Sequence, residues 1–295
     1  MDYTNKGNMI IGIIVIIVIL SCIILLSYIL YKIYNTSIDE ELIYNINPIT
    51  NFGNSQLSIP KEIKKHNINF INNCQYPIWI GSSEPNLINN LNEGGWKLNP
   101  NNSNSINLPD NTNSVKFWGR TNCNFEDPNV IIKSCKTGNC VPSGSSDAKI
   151  KCMGSNGKPP ATQIEFIFGL NGKDYYNVSF TNGFNIPIII SPVEGTYIKT
   201  ALASDPKYKY DCTTAGCSSN FNNMNDCFSE LQIKDENGNI IGCKNICKDS
   251  KTCFSNKTSE LLKTQCPNVN VYPTDQNNTF SCKGGDYNVI FCPTQ

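Results

Sequence analysis

Residues 115–125 read Val-Lys-Phe-Trp-Gly-Arg-Thr-Asn-Cys-Asn-Phe. Apolar and polar residues alternate at the start of this stretch, a period of two that is typical of a strand with one buried face. The stretch contains Arg120, the only arginine in a chain that otherwise uses lysine. A guanidinium presents five donors in a planar fork. We therefore expect Arg120 to pair with a carboxylate or with backbone carbonyls, rather than to orient a ligand.

Similar short strands are predicted on both sides of this stretch, separated by turn signals such as Gly94-Gly95, Asn171-Gly172 and Asn182-Gly183. Many short strands with regular turns predict a β-sandwich or a barrel. Residues 196–265 differ, because they are polar and rich in cysteine, with a short helix predicted at Ser259–Lys263. The further predicted strands begin at Ile68, Ile78, Ser105, Ile164, Tyr175, Asn185 and Tyr287.

Composition excludes several classes of function. The 24 basic residues balance the 24 acidic ones, which argues against nucleic acid as a partner. The single histidine, His66, excludes a multi-histidine metal site and argues against Ser-His or Cys-His catalysis. We expect no cofactor and no metal.

The N-terminal region contains no charged residue from Gly7 to Tyr31. A helix needs about 20 apolar residues to cross the hydrocarbon core of a bilayer. We predict a membrane anchor over residues 9–31, after a short cytosolic segment at residues 1–8. A cleaved signal peptide is the alternative, but its apolar region would be shorter and no cleavage site is evident. The C-terminal domain would then face the extracellular side, a lumen or the outside of a viral envelope.

A polar stalk is predicted over residues 32–67, because this segment lacks cysteine and contains Pro48, Pro60 and runs of charge. His66 lies in it and is expected to be a solvated linker residue. Within the anchor, Cys22 is expected to be a small apolar filler.

Cysteine usage points to an oxidising compartment. Setting Cys22 aside, the 15 cysteines leave 14, an even number that permits seven disulfides. Zinc is the alternative, but structural zinc sites favour paired C-x2-C spacings, and this sequence has none.

Several motifs, in order, resemble the thaumatin-like family. They are Asn73-Cys-Gln-Tyr-Pro-Ile-Trp79, Gly94-Gly95 with Leu98, the W-G-R-T-x-C-x-F type stretch at 118–125, Cys135-Lys-Thr-Gly-Asn-Cys140, Gly157-Lys-Pro-Pro-Ala-Thr-Gln-Ile-Glu-Phe166, Gly183-Phe-Asn-Ile-Pro187 and Tyr287-Asn-Val-Ile-Phe-Cys-Pro293. The resemblance extends from about Ile68 to the C-terminus, and the order of the motifs makes it specific.

The resemblance implies a mainly β fold, a two-sheet sandwich with two disulfide-rich excursions. The ectodomain would be 68–295, with the sandwich at 68–120, 158–192 and 267–295, a small loop domain at 121–157 and a Cys-rich lobe at 193–266. One family disulfide is missing, since the adjacent Cys-Cys pair is absent. The pairing implied is Cys74–Cys292, Cys123–Cys135, Cys140–Cys152, Cys212–Cys282, Cys217–Cys266, Cys227–Cys243 and Cys247–Cys253.

The family resemblance also implies a cleft with one basic and four acidic residues. Carried over, these positions are Lys116, Glu165, Asn177, Asn182 and Asp275. Two of the four positions that are acidic in the family therefore hold amides in this sequence. An amide can bond a sugar hydroxyl but cannot transfer a proton. Glu165 and Asp275 remain as a minimal catalytic pair for glycoside hydrolysis.

Five sequons are candidates for N-glycosylation, and Asn177 would place a glycan in the cleft itself. Trp79, Trp96 and Trp118 could stack on sugar rings, although core packing is the default for such residues. The other sequons begin at Asn35, Asn101, Asn256 and Asn277.

Three functions are compatible with these features. The favoured one is a membrane-anchored binding module for a polysaccharide of the β-1,3-glucan type or for a surface partner. The second is an endo-β-1,3-glucanase that uses Glu165 and Asp275. The third is a hydrolase inhibitor or structural surface protein with a protein partner. The lipid bilayer would be a partner of residues 9–31 in each case.

Overall fold

The computed structural model describes residues 19–22, 25–27, 65–84, 94–199, 212–218, 227, 229–244, 255, 257–275 and 278–294. The chain divides into two compact units, residues 1–61 and 62–295. The second unit contains two large β-sheets, as expected for a sandwich. Because strand residues alternate between two faces, each sheet presents apolar side chains to a shared interior and polar ones to the outside.

The first sheet has five strands in the order β10-β9-β14-β1-β4. The neighbours β1 and β14, from opposite ends of the domain, run parallel, and the other pairs are antiparallel. The strands are β1 (Lys65–Asn72), β4 (Ser103–Pro109), β9 (Ile188–Pro192), β10 (Ala215–Gly216) and β14 (Tyr287–Phe291).

The second sheet follows the order β13-β8-β7-β5-β2-β3, and β6 pairs separately with β5. Its strands are β2 (Ile78–Ser82), β3 (Gly95–Leu98), β5 (Val115–Cys123), β6 (Cys135–Thr137), β7 (Gln163–Leu170), β8 (Lys173–Ser179) and β13 (Phe280–Cys282). A separate hairpin joins β11 (Gln232–Lys234) to β12 (Ile240–Cys243), and the helix α1 spans Lys257–Gln265.

Aromatic side chains fill the space between the two sheets. Phe70 of β1 contacts Phe117 of β5 edge to face, with ring centroids 5.0 Å apart. Phe166 of β7 meets Tyr287 of β14 in the same way at 5.3 Å. Such pairs add to the stability gained from burying large apolar surfaces. The predicted alternation of β5 and β7 therefore corresponds to a real buried face.

Several predicted strand boundaries differ from the observed ones. The strand predicted from Asn185 begins instead at Ile188, after Pro187, whose nitrogen carries no hydrogen for the ladder. The Asn185 side chain bonds the backbone of Thr162 and Gly119 instead. The Cys-rich lobe also contributes β10, which pairs with β9 at the edge of the first sheet.

The expectation that His66 is a solvated stalk residue is wrong. The strand β1 already begins at Lys65, within the predicted stalk, and His66 is fully buried. The alternation of β1 points His66 inward together with Ile68 and Phe70. A histidine can occupy such a position because its ring nitrogens find hydrogen-bond partners there.

Disulfides join distant parts of the domain. The first connects Cys74, just after β1, with Cys292, just after β14, across 218 residues of sequence. The six observed pairs coincide with six implied by the family resemblance, and Cys247–Cys253 lies outside the described residues. The others are Cys123–Cys135, Cys140–Cys152, Cys212–Cys282, Cys217–Cys266 and Cys227–Cys243.

Most of the predicted membrane anchor lies outside the described residues. Of residues 9–31, the structure describes 19–22 and 25–27, which are helical. Cys22, inside this segment, has no disulfide partner. Within the described ranges, no helix is both long enough and apolar enough to span a membrane.

Candidate functional site

A polar cleft of about 470 Å³ lies on the outer face of the second sheet. Residues of β5, β7 and β8 form its floor, and residues 270–275 together with Thr279 form a wall. Its lining residues are Lys116, Gln163, Glu165, Ile167, Asn177, Ser179, Thr181, Asn182, Asn270, Tyr272, Pro273, Asp275 and Thr279.

All five residues carried over from the family resemblance line this cleft. Lys116, Glu165 and Asn177 form one row across the sheet, because Lys116 pairs with Glu165 in the β5–β7 register and Glu165 pairs with Asn177 in the β7–β8 register. The chain after β8 brings Asn182 to the same cleft, and Asp275 comes from the wall.

The carboxylate of Glu165 is held by neutral partners. Ser114 Oγ donates a hydrogen bond to Glu165 Oε1, and Asn177 Nδ2 donates to Oε2 at 3.3 Å. An aspartate at position 177 could not donate in this way, since an ionised carboxylate only accepts. The amide of Asn177 therefore helps to fix the position of the Glu165 side chain in the cleft.

Asp275 is held by a cation. Its side chain is only 3% exposed, and its Oδ2 lies 2.8 Å from Lys263 Nζ and accepts the backbone N–H of Val271 at 3.1 Å. Lys263 reaches it from α1 and also donates to the carbonyl of Val269. These contacts fix the position of the Asp275 side chain.

Some cleft residues were missed by the sequence analysis. Gln163 and Ser179 stand two residues from Glu165 and Asn177 on the same strands, so the period of two could have placed them on the same face. Tyr272 and Lys263 carried no such signal, because their approach depends on tertiary packing. Lys263 is 12 residues from its partner Asp275.

Arg120 is a structural residue, as expected from the sequence. It is fully buried, and its Nη2 donates to the carbonyls of Ile150 at 2.6 Å and Ile80 at 2.9 Å. Burial lowers the pKa of Arg120 to about 9, which still leaves the guanidinium charged at neutral pH. Gly95 permits this packing, because a Cβ there would lie 1.8 Å from the Ile150 carbonyl oxygen.

Two further carbonyls and the Sγ atom of Cys140, which lies 3.2 Å from Nη1, also accept from Arg120. Its Nη1 donates to Lys149 at 2.8 Å, and its Nε donates to Trp79 at 3.2 Å. The guanidinium therefore links β2 to the loop at 149–150, in the region predicted as the small loop domain. It holds that region against the sandwich and does not reach the cleft.

Residues 72–293 match the family described as the Thaumatin family. The chain belongs to the thaumatin family. Thaumatin-like protein 1a of Malus domestica is 33% identical over 243 residues, which cover 77% of this chain and 89% of that protein. A glucan endo-1,3-beta-glucosidase of Prunus avium is 31% identical over 243 residues, which cover 77% of this chain and 90% of that protein.

Among solved structures, a thaumatin-like xylanase inhibitor is similar, at 21% identity and a TM-score of 0.40, over 77% of this chain and 99% of that chain. The match with the Malus domestica relative takes up nearly all of that relative. In this chain the compact unit 62–295 contains the whole family match, both sheets and the six described disulfides, so we expect it to fold without residues 1–61.

The three tryptophans of the thaumatin domain are buried, so none offers a platform for a sugar ring. Trp79 and Trp96 are 4% and 3% exposed, and Trp118 is fully buried and donates from Nε1 to the carbonyl of Gly138. The aromatic residue that does line the cleft is Tyr272.

Two sequons can be located in the thaumatin domain. Asn101 lies exposed in the turn before β4, where a glycan would meet solvent. Asn177 is half buried in the cleft, and its amide nitrogen already bonds Glu165. Asn35, Asn256 and Asn277 lie outside the described residues.

Proposed function

We propose that this protein is a binding module that holds a neutral polysaccharide of the β-1,3-glucan type in the cleft, without hydrolysing it. The observation that carries the proposal is the row Lys116–Glu165–Asn177 with Asn182 beside it. Amides and hydroxyls offer both donors and acceptors, which match the hydroxyl groups of a sugar. The name of the Prunus avium relative supports glucan as the ligand class.

Hydrolysis requires one carboxylic acid to protonate the leaving oxygen and a second carboxylate to attack or to activate water. Both remaining carboxyl groups already have partners within the protein. Asp275 is paired with Lys263, and Glu165 accepts from Ser114 and Asn177. The two other positions hold amides, which cannot transfer a proton, and this favours binding over catalysis.

Tyr272 gives the cleft an apolar component. It is partly buried and lines the wall beside Asp275. Sugar rings present apolar C–H faces that pack on aromatic side chains. We expect Tyr272 to contact the ligand in this way, while the amides bond its hydroxyl groups.

The test uses the compact unit 62–295, folded under oxidising conditions. Co-sedimentation with insoluble β-1,3-glucan measures binding, and the release of reducing ends from soluble glucan measures hydrolysis. We expect retention on the glucan without release, and a loss of retention of about tenfold in Tyr272→Ala. Glu236→Gln is the matched control, because Glu236 is an exposed acid in the β11–β12 turn that pairs with Lys136.

Release of reducing ends that disappears in Glu165→Gln would establish the glucanase and refute the proposal. Absence of both binding and release would also refute it, and would favour the alternative of a hydrolase inhibitor or structural surface protein. If the wild type binds glucan and Tyr272→Ala binds it equally well, the ligand does not pack on Tyr272 and the cleft is not its binding site.

We also propose that residues 9–31 anchor the protein in a lipid bilayer, with the thaumatin domain on the extracellular, lumenal or envelope side. The uncharged run from Gly7 to Tyr31 supports this. In the helical residues 19–22 and 25–27, apolar side chains such as Leu25 and Leu26 are exposed. After expression in eukaryotic cells, the protein should stay with membranes in alkaline carbonate. Extraction by carbonate would refute the anchor.

A further inference from the structure

The strand β4 (Ser103–Pro109) forms one edge of the first sheet, so only one of its two sides pairs with a neighbouring strand. It is seven residues long, and its pairing with β1 is continuous along the whole strand. An edge strand presents a row of backbone N–H and C=O groups that can pair with another chain. The open side of β4 is therefore a candidate surface for a partner.

The hydrogen bonds of β1 show which backbone groups of β4 point away from it. The N–H of Asn72, at the end of β1, donates to the carbonyl of Asn102 at 3.0 Å, whereas the N–H of Asn67 donates to Asp286, just before β14. Successive residues of a strand direct their backbone groups to opposite sides, so every second residue of β4 counted from Asn102 bonds β1. The residues whose backbone groups face the open side are therefore Ser103, Ser105 and Asn107.

These backbone groups are free to bond. Ser103, Ser105 and Asn107 are exposed, and their N–H and C=O groups have no hydrogen-bond partner among the described residues. Pro109 fits the same alternation, because its nitrogen, which carries no hydrogen, lies on the open side. Three donors and three acceptors are therefore available along one line.

The other sheet edges are protected in ways that β4 lacks. At the opposite edge of the first sheet, β10 has two residues, and its Gly216 also pairs with Asn268. In the second sheet, β13 has three residues, and the carbonyl of Ser281 accepts from Cys212. At the other end of that sheet, β3 has four residues and carries Lys97. Short strands, covering segments and lysines are the usual protection against edge pairing.

The composition of β4 does not oppose pairing with an identical strand. Ser103–Pro109 contains no charged residue, so two copies brought side by side would not repel each other. Proline, another common protection of edges, stands only at the last position. A second copy of this chain therefore meets neither of these two obstacles at the open side.

The spacing of the open backbone groups is self-complementary. In an antiparallel ladder, hydrogen-bonded pairs recur at every second residue, and each pair exchanges two bonds. A two-fold axis at Ser105 places Ser105 opposite its own copy, and Ser103 opposite Asn107 of the second copy at both ends. These are three pairs with two bonds each, and they use every open donor and acceptor of Ser103, Ser105 and Asn107.

We propose that two copies of this protein associate by antiparallel pairing of their β4 strands, which joins two five-stranded sheets into one continuous sheet. Association stops at the dimer, because each open edge is covered by the other. No residue of β4 lines the cleft, so the pairing is independent of glucan binding.

The first test is sedimentation equilibrium of the compact unit 62–295. It is produced in the bacterial periplasm, where disulfides form, because a glycan on the sequon at Asn101 would lie beside the pairing edge. The interface of a single strand pair is small, so we expect a monomer–dimer equilibrium with a Kd of about 10 µM to 1 mM. A monomer at every concentration up to about 1 mM would overturn the proposal.

Hydrogen exchange, followed by NMR, tests the register. The amides of Ser103, Ser105 and Asn107 should exchange freely in dilute protein and become at least about tenfold slower at the highest concentration. The amide of Ile106 bonds β1 and should be protected at every concentration. Concentration-dependent protection that leaves Ser105 unchanged would place the contact elsewhere and overturn the proposal.

Variants at the centre of the edge separate backbone pairing from other contacts. Ser105→Pro removes the central donor of each copy and should raise the Kd at least about tenfold. The monomer should tolerate it, because the nitrogen of residue 105 faces solvent as that of Pro109 does. Ser105→Lys places two ammonium groups opposite each other, and should raise the Kd about fivefold.

The matched control is Ser191→Lys on β9, which adds the same charge to the same sheet away from the edge. It should leave the Kd unchanged. Equal dimerisation of Ser105→Lys and Ser191→Lys would show that β4 is not the contact, and would overturn the proposal even if Ser105→Pro does not fold.

Discussion

The surroundings of Arg120 and the cleft use polar groups in opposite ways. At Arg120 a full positive charge is enclosed, and the oxygen atoms of four backbone carbonyls surround it. In the cleft, amides stand at two positions where the family resemblance implied acids, and they remain open to solvent. The difference indicates that the enclosed polar groups determine stability, whereas those of the cleft are available for a ligand.

The largest effect is expected at Arg120. Arg120→Ala leaves its carbonyl partners without a donor in the interior, and should lower the free energy of unfolding by about 3–5 kcal/mol. Urea unfolding, followed by the fluorescence of the buried tryptophans, measures this. Arg120→Lys keeps the charge but loses the planar fork, so about 2 kcal/mol is expected. A loss below about 0.5 kcal/mol in both variants would contradict the structural role.

Lys263 should show an intermediate effect, because its partner Asp275 is buried and also lines the cleft. Lys263→Met leaves the carboxylate of Asp275 buried without its cation, and should cost about 1–3 kcal/mol. Adding Asp275→Asn should recover part of this loss, since the uncompensated charge is then removed. Lys136→Met is the control, because its pair with Glu236 is exposed and should contribute little. Equal unfolding curves for Lys263→Met and the control would show that the pair of Lys263 and Asp275 does not stabilise the fold.

The smallest change in stability is expected in the cleft. The backbone carbonyl of Asn182 accepts from Ala161, and this bond survives truncation of the side chain. Asn182→Ala should therefore alter the free energy of unfolding by less than about 0.5 kcal/mol. It should weaken glucan retention by roughly fivefold, equivalent to about one net hydrogen bond.

The matched control for this change is Asn107→Ala, an exposed asparagine on β4 of the other sheet. It should alter neither stability nor retention. A loss of stability in Asn182→Ala comparable with that of Lys263→Met would remove the distinction between cleft and interior.

Strand alternation made much of the cleft predictable. The row from Lys116 to Asn177 follows from residues that face outward on neighbouring strands, and the order of the motifs identified those strands. The partner of Asp275 could not be predicted in this way, because Lys263 approaches from a helix whose position depends on tertiary packing.

For His66, the local sequence led to a wrong prediction. It follows a polar, charged segment, so local composition indicated a linker. Its burial depends on Gly285 and Asp110, which are 219 and 44 residues away in sequence. No local pattern reports such contacts. The burial of a histidine at the first inward position of a strand can be predicted only once the register with β14 is known.

The disulfide between Cys74 and Cys292 joins the two ends of the domain, and the strands just before these cysteines run parallel. The enclosed chain is thus a covalent ring, with both tails leaving from neighbouring points. A protease that cuts once in any loop of this ring opens it but releases no fragment. A pulling force applied to the two tails would load this junction and β1, which precedes Cys74 and is paired with β4 and β14, and would bypass the rest of the ring. The lobes and the cleft would remain mechanically unloaded.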